Sequence, residues 1–97
     1  MVFNRSPAIC TYPDDKGENL IIEVALPGVE KKDISFKIAE DVFYVDAKKE
    51  GIRYWDSYML CCPVDSEKAV AKYSNGLLNV TVPYKSLSEK LTEIKIE

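Results

Sequence analysis

The chain has 97 residues, enough for one domain with a single core and too few for a core plus an elaborate active site. Its formal net charge is −3, and lysines and arginines lie scattered among acids. No basic stripe exists for a phosphate backbone, so nucleic acid is not an expected partner. No stretch is apolar and long enough for a signal peptide or a membrane span, which predicts a cytoplasmic protein with no membrane contact.

In chain order, residues 1–7 (MVFNRSP) read as a short arm and AICTYP as a first strand, followed by the polar turn DDKGEN. Leu20, Ile22, Val24 and Leu26 then alternate along a strand that Pro27-Gly28 stops. After the charged connection VEKKD, Ile34, Phe36 and Ile38 alternate again with one face inward, and Glu40-Asp41 turns the chain into VFYVDAK. KEGIR is a brief reversal around Gly51, YWDSYMLCC a long strand stopped by Pro63, and PVDSEK a loop with room for one helical turn. Ala69, Ala71 and Tyr73 mark one face of the next strand. Asn75-Gly76 turns it into Leu78, Val80 and Val82, because Asn and Gly tolerate positive φ at least cost, and Pro83 closes that strand. Residues 86–97 form a polar tail, relieved only by Leu87, Leu91, Ile94 and Ile96. About seven short strands at regular spacing, with turn chemistry between them and almost no helical period, predict an all-β, antiparallel, immunoglobulin-like β-sandwich over residues 8–85.

Catalytic and metal chemistry find little support. The chain has no histidine, so the usual general base near neutral pH is absent and a serine or cysteine nucleophile lacks its common activator. Asp14-Asp15 and Glu40-Asp41 sit beside turn signals, where carboxylates ordinarily bond local backbone. Cys10, Cys61 and Cys62 lack CxxC spacing and read as small buried hydrophobes. As neighbours in a strand, Cys61 and Cys62 are expected to point to opposite faces and not to share a metal. Neither an enzyme nor a cofactor is expected. Tyr44, Tyr54, Trp55 and Tyr58 read as an aromatic cluster around the short reversal, forming core, rim or, through Tyr54, Trp55 and Tyr58, an interaction surface.

Four marks in order resemble one family. Ala71, Asn75, Gly76 and Leu78 match the A-x-x-x-N-G-x-L signature of the α-crystallin domain of small heat-shock proteins. Leu26-Pro27-Gly28-Val29 is similar to that family's L-P-G-V, Lys32-Asp33-Ile34 to its K-x-D/E-I strand start, and Ile94-Lys95-Ile96 to its C-terminal I-x-I motif. The resemblance spans essentially the whole chain. It implies an ATP-independent chaperone that binds unfolding client proteins. It also implies self-association through the tail, with Ile94 and Ile96 docking in a groove between the strand of Ile34, Phe36 and Ile38 and that of Ala69, Ala71 and Tyr73. The alternative reading of Ile94 and Ile96 is the end of a last strand within the domain.

Departures from the family are also legible. Only KEGIR stands where typical microbial members carry a long loop with a partner-exchanged strand. Asp56, Tyr58 and Cys62 stand where that family has Phe, Arg and Leu. The short hairpin and short arm resemble instead the CS-domain co-chaperones, which share the sandwich and act as adaptors on a specific partner such as an ATPase.

Overall fold

A computed structural model, which describes residues 2–85 and 92–97, resolves the alternation into eight strands: β1 (Phe3–Arg5), β2 (Ala8–Pro13), β3 (Asn19–Ala25), β4 (Ile34–Ile38), β5 (Val42–Lys49), β6 (Ile52–Met59), β7 (Val70–Ser74) and β8 (Leu77–Pro83). Single 3-10 turns, Lys31–Asp33 and Ser66–Lys68, lead into β4 and towards β7. The strands form two four-stranded sheets, ordered β1-β6-β5-β4 and β2-β3-β8-β7. All pairings are antiparallel except that of β1, which runs parallel to β6 with Phe3 opposite Ile52. The first seven residues therefore contain a strand rather than only an arm. Three residues carry no measurable period, so nothing local announced it. Leu87 and Leu91 lie outside the described residues.

One apolar interior lies between the sheets. Leu20, Ile22 and Val24 of β3 and Leu78, Val80 and Val82 of β8 come from one sheet, Phe43, Val45 and Ala47 of β5 and Tyr54 of β6 from the other, and all are buried. Because residues directly opposite in neighbouring strands share a face, the register makes this one continuous apolar surface per sheet. Each large aliphatic or aromatic residue fully buried there contributes about 1.5–3 kcal/mol of transfer free energy.

Two turns lock against each other at one end. Asn75 (φ 51°) and Gly76 (φ 81°) close the β7–β8 hairpin in two residues, the positive φ values of a primed turn that follows the strand twist. The Leu26 amide donates to the Gly76 carbonyl at 2.7 Å. A Cβ added to Gly76 would stand 3.3 Å from the Pro27 Cα. The Tyr73 hydroxyl lies 2.7 Å from both the Leu26 and the Val29 carbonyl oxygens, so its single proton serves two acceptors. The Leu26–Val29 stretch and the Asn75-Gly76 turn are thus one structural unit.

The β5–β6 hairpin is equally tight. Lys49 pairs with Ile52, leaving Glu50 and Gly51 as the loop. Arg53 Nε and Nη2 donate to the two Asp46 carboxylate oxygens at 3.0 and 2.9 Å, a fork-to-fork contact on a diagonal of the ladder. That hydrogen bond from Arg53, opposed by some desolvation, holds the Asp46 carboxyl below its usual 3.8. At the β2–β3 turn the Asp14 carboxylate accepts from the Glu18 amide at 2.9 Å and from the Asn19 side chain at 2.8 Å, a turn role rather than a catalytic one.

Two expected outcomes follow. Gly76→Ala incurs the left-handed penalty of about 1–2 kcal/mol plus the approach to Pro27. Gly17→Ala, at φ +68° with nothing within 4 Å of the added Cβ, incurs only the first. Urea midpoints should therefore drop further for Gly76→Ala, and equal drops would refute the lock between the two turns. For the ion pair, a depressed folded-state pKa stabilises above the unfolded value and is lost as pH falls through the folded one. With side chains 33% and 41% exposed, the pair is worth at most about 1 kcal/mol. The stability difference between wild type and Arg53→Gln should be present at neutral pH and vanish in acid, and a difference that persists there would exclude Asp46 as its source.

Candidate groove at the open margin of the sandwich

β4 and β7 are the end strands of their sheets, each paired on one side only among the described residues. Ile34, Phe36 and Ile38 stand opposite Ala47, Val45 and Phe43, all fully buried, and so belong to the inner face, yet each is only partly buried. On β7, Ala71 and Tyr73 stand opposite the buried Val80 and Leu78. Ala71 is exposed although it points inward, and Tyr73 is half-buried. Ala69 precedes β7, half-buried against the core. An inward-facing side chain that water still reaches marks a margin the sandwich does not seal.

The tail stands apart from this margin. Residues 92–97 have no strand or helix assignment, and Ile94 and Ile96 are 73% and 93% exposed. The reading of these residues as a last strand of the domain is corrected: they pair with no strand of it. Two isoleucines two positions apart project to the same side of an extended segment, which suits a pair of adjacent pockets.

The signature residues are structural. Asn75 and Gly76 form the hairpin turn, and Leu78 is core. Tyr73 lends its ring to the rim of the core and its hydroxyl to the Leu26–Val29 turn.

The four aromatics do not form one cluster. Tyr54, opposite Ala47, is buried, with Lys49 Nζ 5.7 Å above its ring. Tyr58 also faces inward, stacked on Phe43 at 5.3 Å, which in turn stacks on Phe36 at 5.3 Å. Trp55 and Tyr44 stand on the outer face, 47% and 46% exposed. The parity of the β5–β6 register separates neighbours in sequence onto opposite faces.

The cysteine expectations are corrected too. All three thiols are exposed. β6 ends at Met59, so Cys61 and Cys62 lie in a bend beyond it rather than on opposite faces of a strand, and their sulfurs are 3.3 Å apart. Sequence reasoning carried the strand too far, because Leu-Cys-Cys continues an apolar run that the backbone leaves. The Asp46–Arg53 fork was also missed, although the two-residue hairpin implies it once its register is known. Among the described residues no group of three His, Cys, Asp or Glu is placed to hold a metal, and no helix is long and apolar enough to cross a membrane.

Comparison with known proteins agrees with this geometry. The chain is 27% identical over 106 residues to the "Probable 15 kDa heat shock protein" of Leptospira interrogans, covering 95% of this chain and 80% of that protein. It is 33% identical over 91 residues to small heat shock protein C4 of Rickettsia felis, covering 77% of this chain and 55% of that protein. Among solved structures, heat shock protein 16.0 of Schizosaccharomyces pombe superposes with a TM-score of 0.76 at 20% identity, over 97% of this chain and 77% of that one. A small heat-shock protein of Xylella fastidiosa does so at 0.71 and 14% identity, over 96% and 95%. These likenesses show the shared fold. The model of the Hsp20/alpha crystallin family matches residues 13–97, nearly the whole chain, and the chain belongs to that family.

Proposed function

We propose that this chain is an ATP-independent chaperone that holds exposed apolar segments of unfolding proteins along the β4 and β7 margin, with its own Ile94-Lys95-Ile96 segment as a competing occupant from a neighbouring copy. The observation that carries this reading is the incomplete burial of inward-facing side chains on both edge strands, beside a tail whose isoleucines are spread into solvent. The placement of β4 and β7 on one side of the sandwich is supported from the opposite margin. There the Thr11 hydroxyl of β2 lies 3.5 Å from the Tyr58 hydroxyl of β6, setting those strands together and leaving the other ends of the two sheets to face each other. Ile34, Phe36 and Ile38 on one wall and Ala69, Ala71 and Tyr73 on the other would then line a single seam.

Energetics favour a weak, exchangeable plug. Burying two isoleucine side chains gives about 3–5 kcal/mol of gross transfer free energy. Ordering an extended segment and losing translational freedom on association consume most of that. Clients bring longer apolar stretches and unpaired backbone, which can extend either edge by strand addition. A tail that bound tightly would close the surface to them. The tight β5–β6 hairpin has no inserted strand to exchange, so assembly through the tail is the route this geometry favours.

The test is suppression of thermal aggregation of a model client by the full chain, by a chain lacking residues 92–97, and by Ala71→Glu, which places a charge on the inner side of the edge without disturbing a buried residue. The full chain should suppress aggregation at equimolar ratio. Tail removal should lower the mass in solution measured by light scattering while keeping suppression, and Ala71→Glu should reduce suppression with little change in melting temperature. Absence of suppression by the full chain, or an Ala71→Glu variant as active as wild type, would overturn the assignment of activity to this margin.

A further inference from the structure

Outside the proposed groove, the segment from Leu60 to Val64 carries chemistry that chaperoning does not use. It arches off the end of β6 and is tied down on both sides. The Leu60 amide donates to the Asp41 carbonyl at 2.7 Å, and the Val64 amide donates to the Glu40 carbonyl at 2.9 Å. Both anchors therefore reach the same β4–β5 turn. From the other side the Lys85 amide donates to the Pro63 carbonyl at 3.1 Å, and the fully buried Val64 bridges to Tyr84. Between these anchors Cys61 and Cys62 are exposed, their sulfurs 3.3 Å apart on one side of the arch. The hydrogen bond with Cys61, then desolvation and the Cys61 charge, hold the Cys62 thiol above the ordinary value, as expected where two sulfurs share one proton.

We propose that Cys61 and Cys62 form a vicinal-dithiol site that takes trivalent arsenicals, closing a cyclic dithioarsenite at the arch. Three observations select this ligand class. Both sulfurs are soft donors, which excludes hard cations such as magnesium or calcium. Structural zinc takes four ligands, and no group of three His, Cys, Asp or Glu among the described residues supplies them, whereas an organoarsenical that keeps its own carbon substituent needs only two sulfurs. A disulfide would require the sulfurs to close to about 2.05 Å within the small ring that adjacent residues impose. A pyramidal arsenic inserted between them spans a separation close to the one already present. The anchored backbone also removes much of the ordering cost of ring closure.

The step balances without a redox partner. An arsenoxide R–As=O reacts with the two thiols. Two As–S bonds form, the arsenic–oxygen bond breaks, and the two thiol protons leave with that oxygen as water. Arsenic stays trivalent throughout.

The experiment treats the reduced full chain with phenylarsine oxide and reads intact mass. One adduct per chain is expected, with a mass gain of phenylarsenic less two hydrogens. It should be retained by Cys10→Ser, lost from both Cys61→Ser and Cys62→Ser, stable to excess 2-mercaptoethanol, and stripped by 2,3-dimercaptopropanol. Circular dichroism of the two serine variants, whose substitutions lie at exposed positions, keeps loss of the site distinct from loss of the fold. No adduct on the wild type, an adduct that survives either single substitution, or one removed by the monothiol would overturn the proposal.

Discussion

β4 and β7 each lay their inner-face side chains against buried neighbours on one side, and among the described residues no strand pairs with them on the other. Phe36 shows the constraint most plainly: it sits opposite Val45 and stacks on Phe43, both completely buried, yet it is itself only partly buried. Hydrophobic burial that stops part-way across a sheet leaves apolar surface and unpaired backbone along the same line. Many sheet proteins close such a line with a charged side chain, a bulge or a covering helix. Here Ile34, Ile38 and Ala71 leave it apolar, and the proposed chaperone role depends on that choice.

An open margin is only useful on a frame that does not collapse around it. The frame is set at one end by Tyr73, Leu26, Val29 and Gly76, where a single hydroxyl and a single amide tie two turns from distant parts of the chain. At the hairpin end it is set by the Asp46–Arg53 fork and by β1, which covers the outer edge of β6. One sheet is thereby capped on its β6 side and open on its β4 side.

The two chemistries proposed for the molecule sit apart for a physical reason. Client capture needs a long apolar line with no rigid partner. A dithiol needs two sulfurs fixed close together and exposed, which only a short, anchored arch supplies. The arch is anchored by Glu40, Asp41 and Lys85, residues of the turn that follows β4 and of the segment where the tail begins.

Local sequence determined what depends on neighbours a few residues away. The period of two in Leu20–Val24, Ile34–Ile38 and Leu78–Val82 dictated the strands and their inner faces, and the positive-φ tolerance of Asn75-Gly76 dictated the turn. The motif from Ala71 to Leu78, with Leu26–Val29 and Ile94–Ile96, was enough to indicate the family. Tertiary structure alone decided the rest. The pairing of β1 rests on a partner strand about fifty residues away, and the parting of Trp55 from Tyr54 rests on register parity across the β5–β6 ladder. Cys61 and Cys62 look like the end of an apolar strand because hydrophobicity is a property of residue type. Their exposure and their 3.3 Å approach go with hydrogen bonds from the Leu60 and Val64 amides to Asp41 and Glu40, which take the backbone out of the ladder before the Pro63 stop.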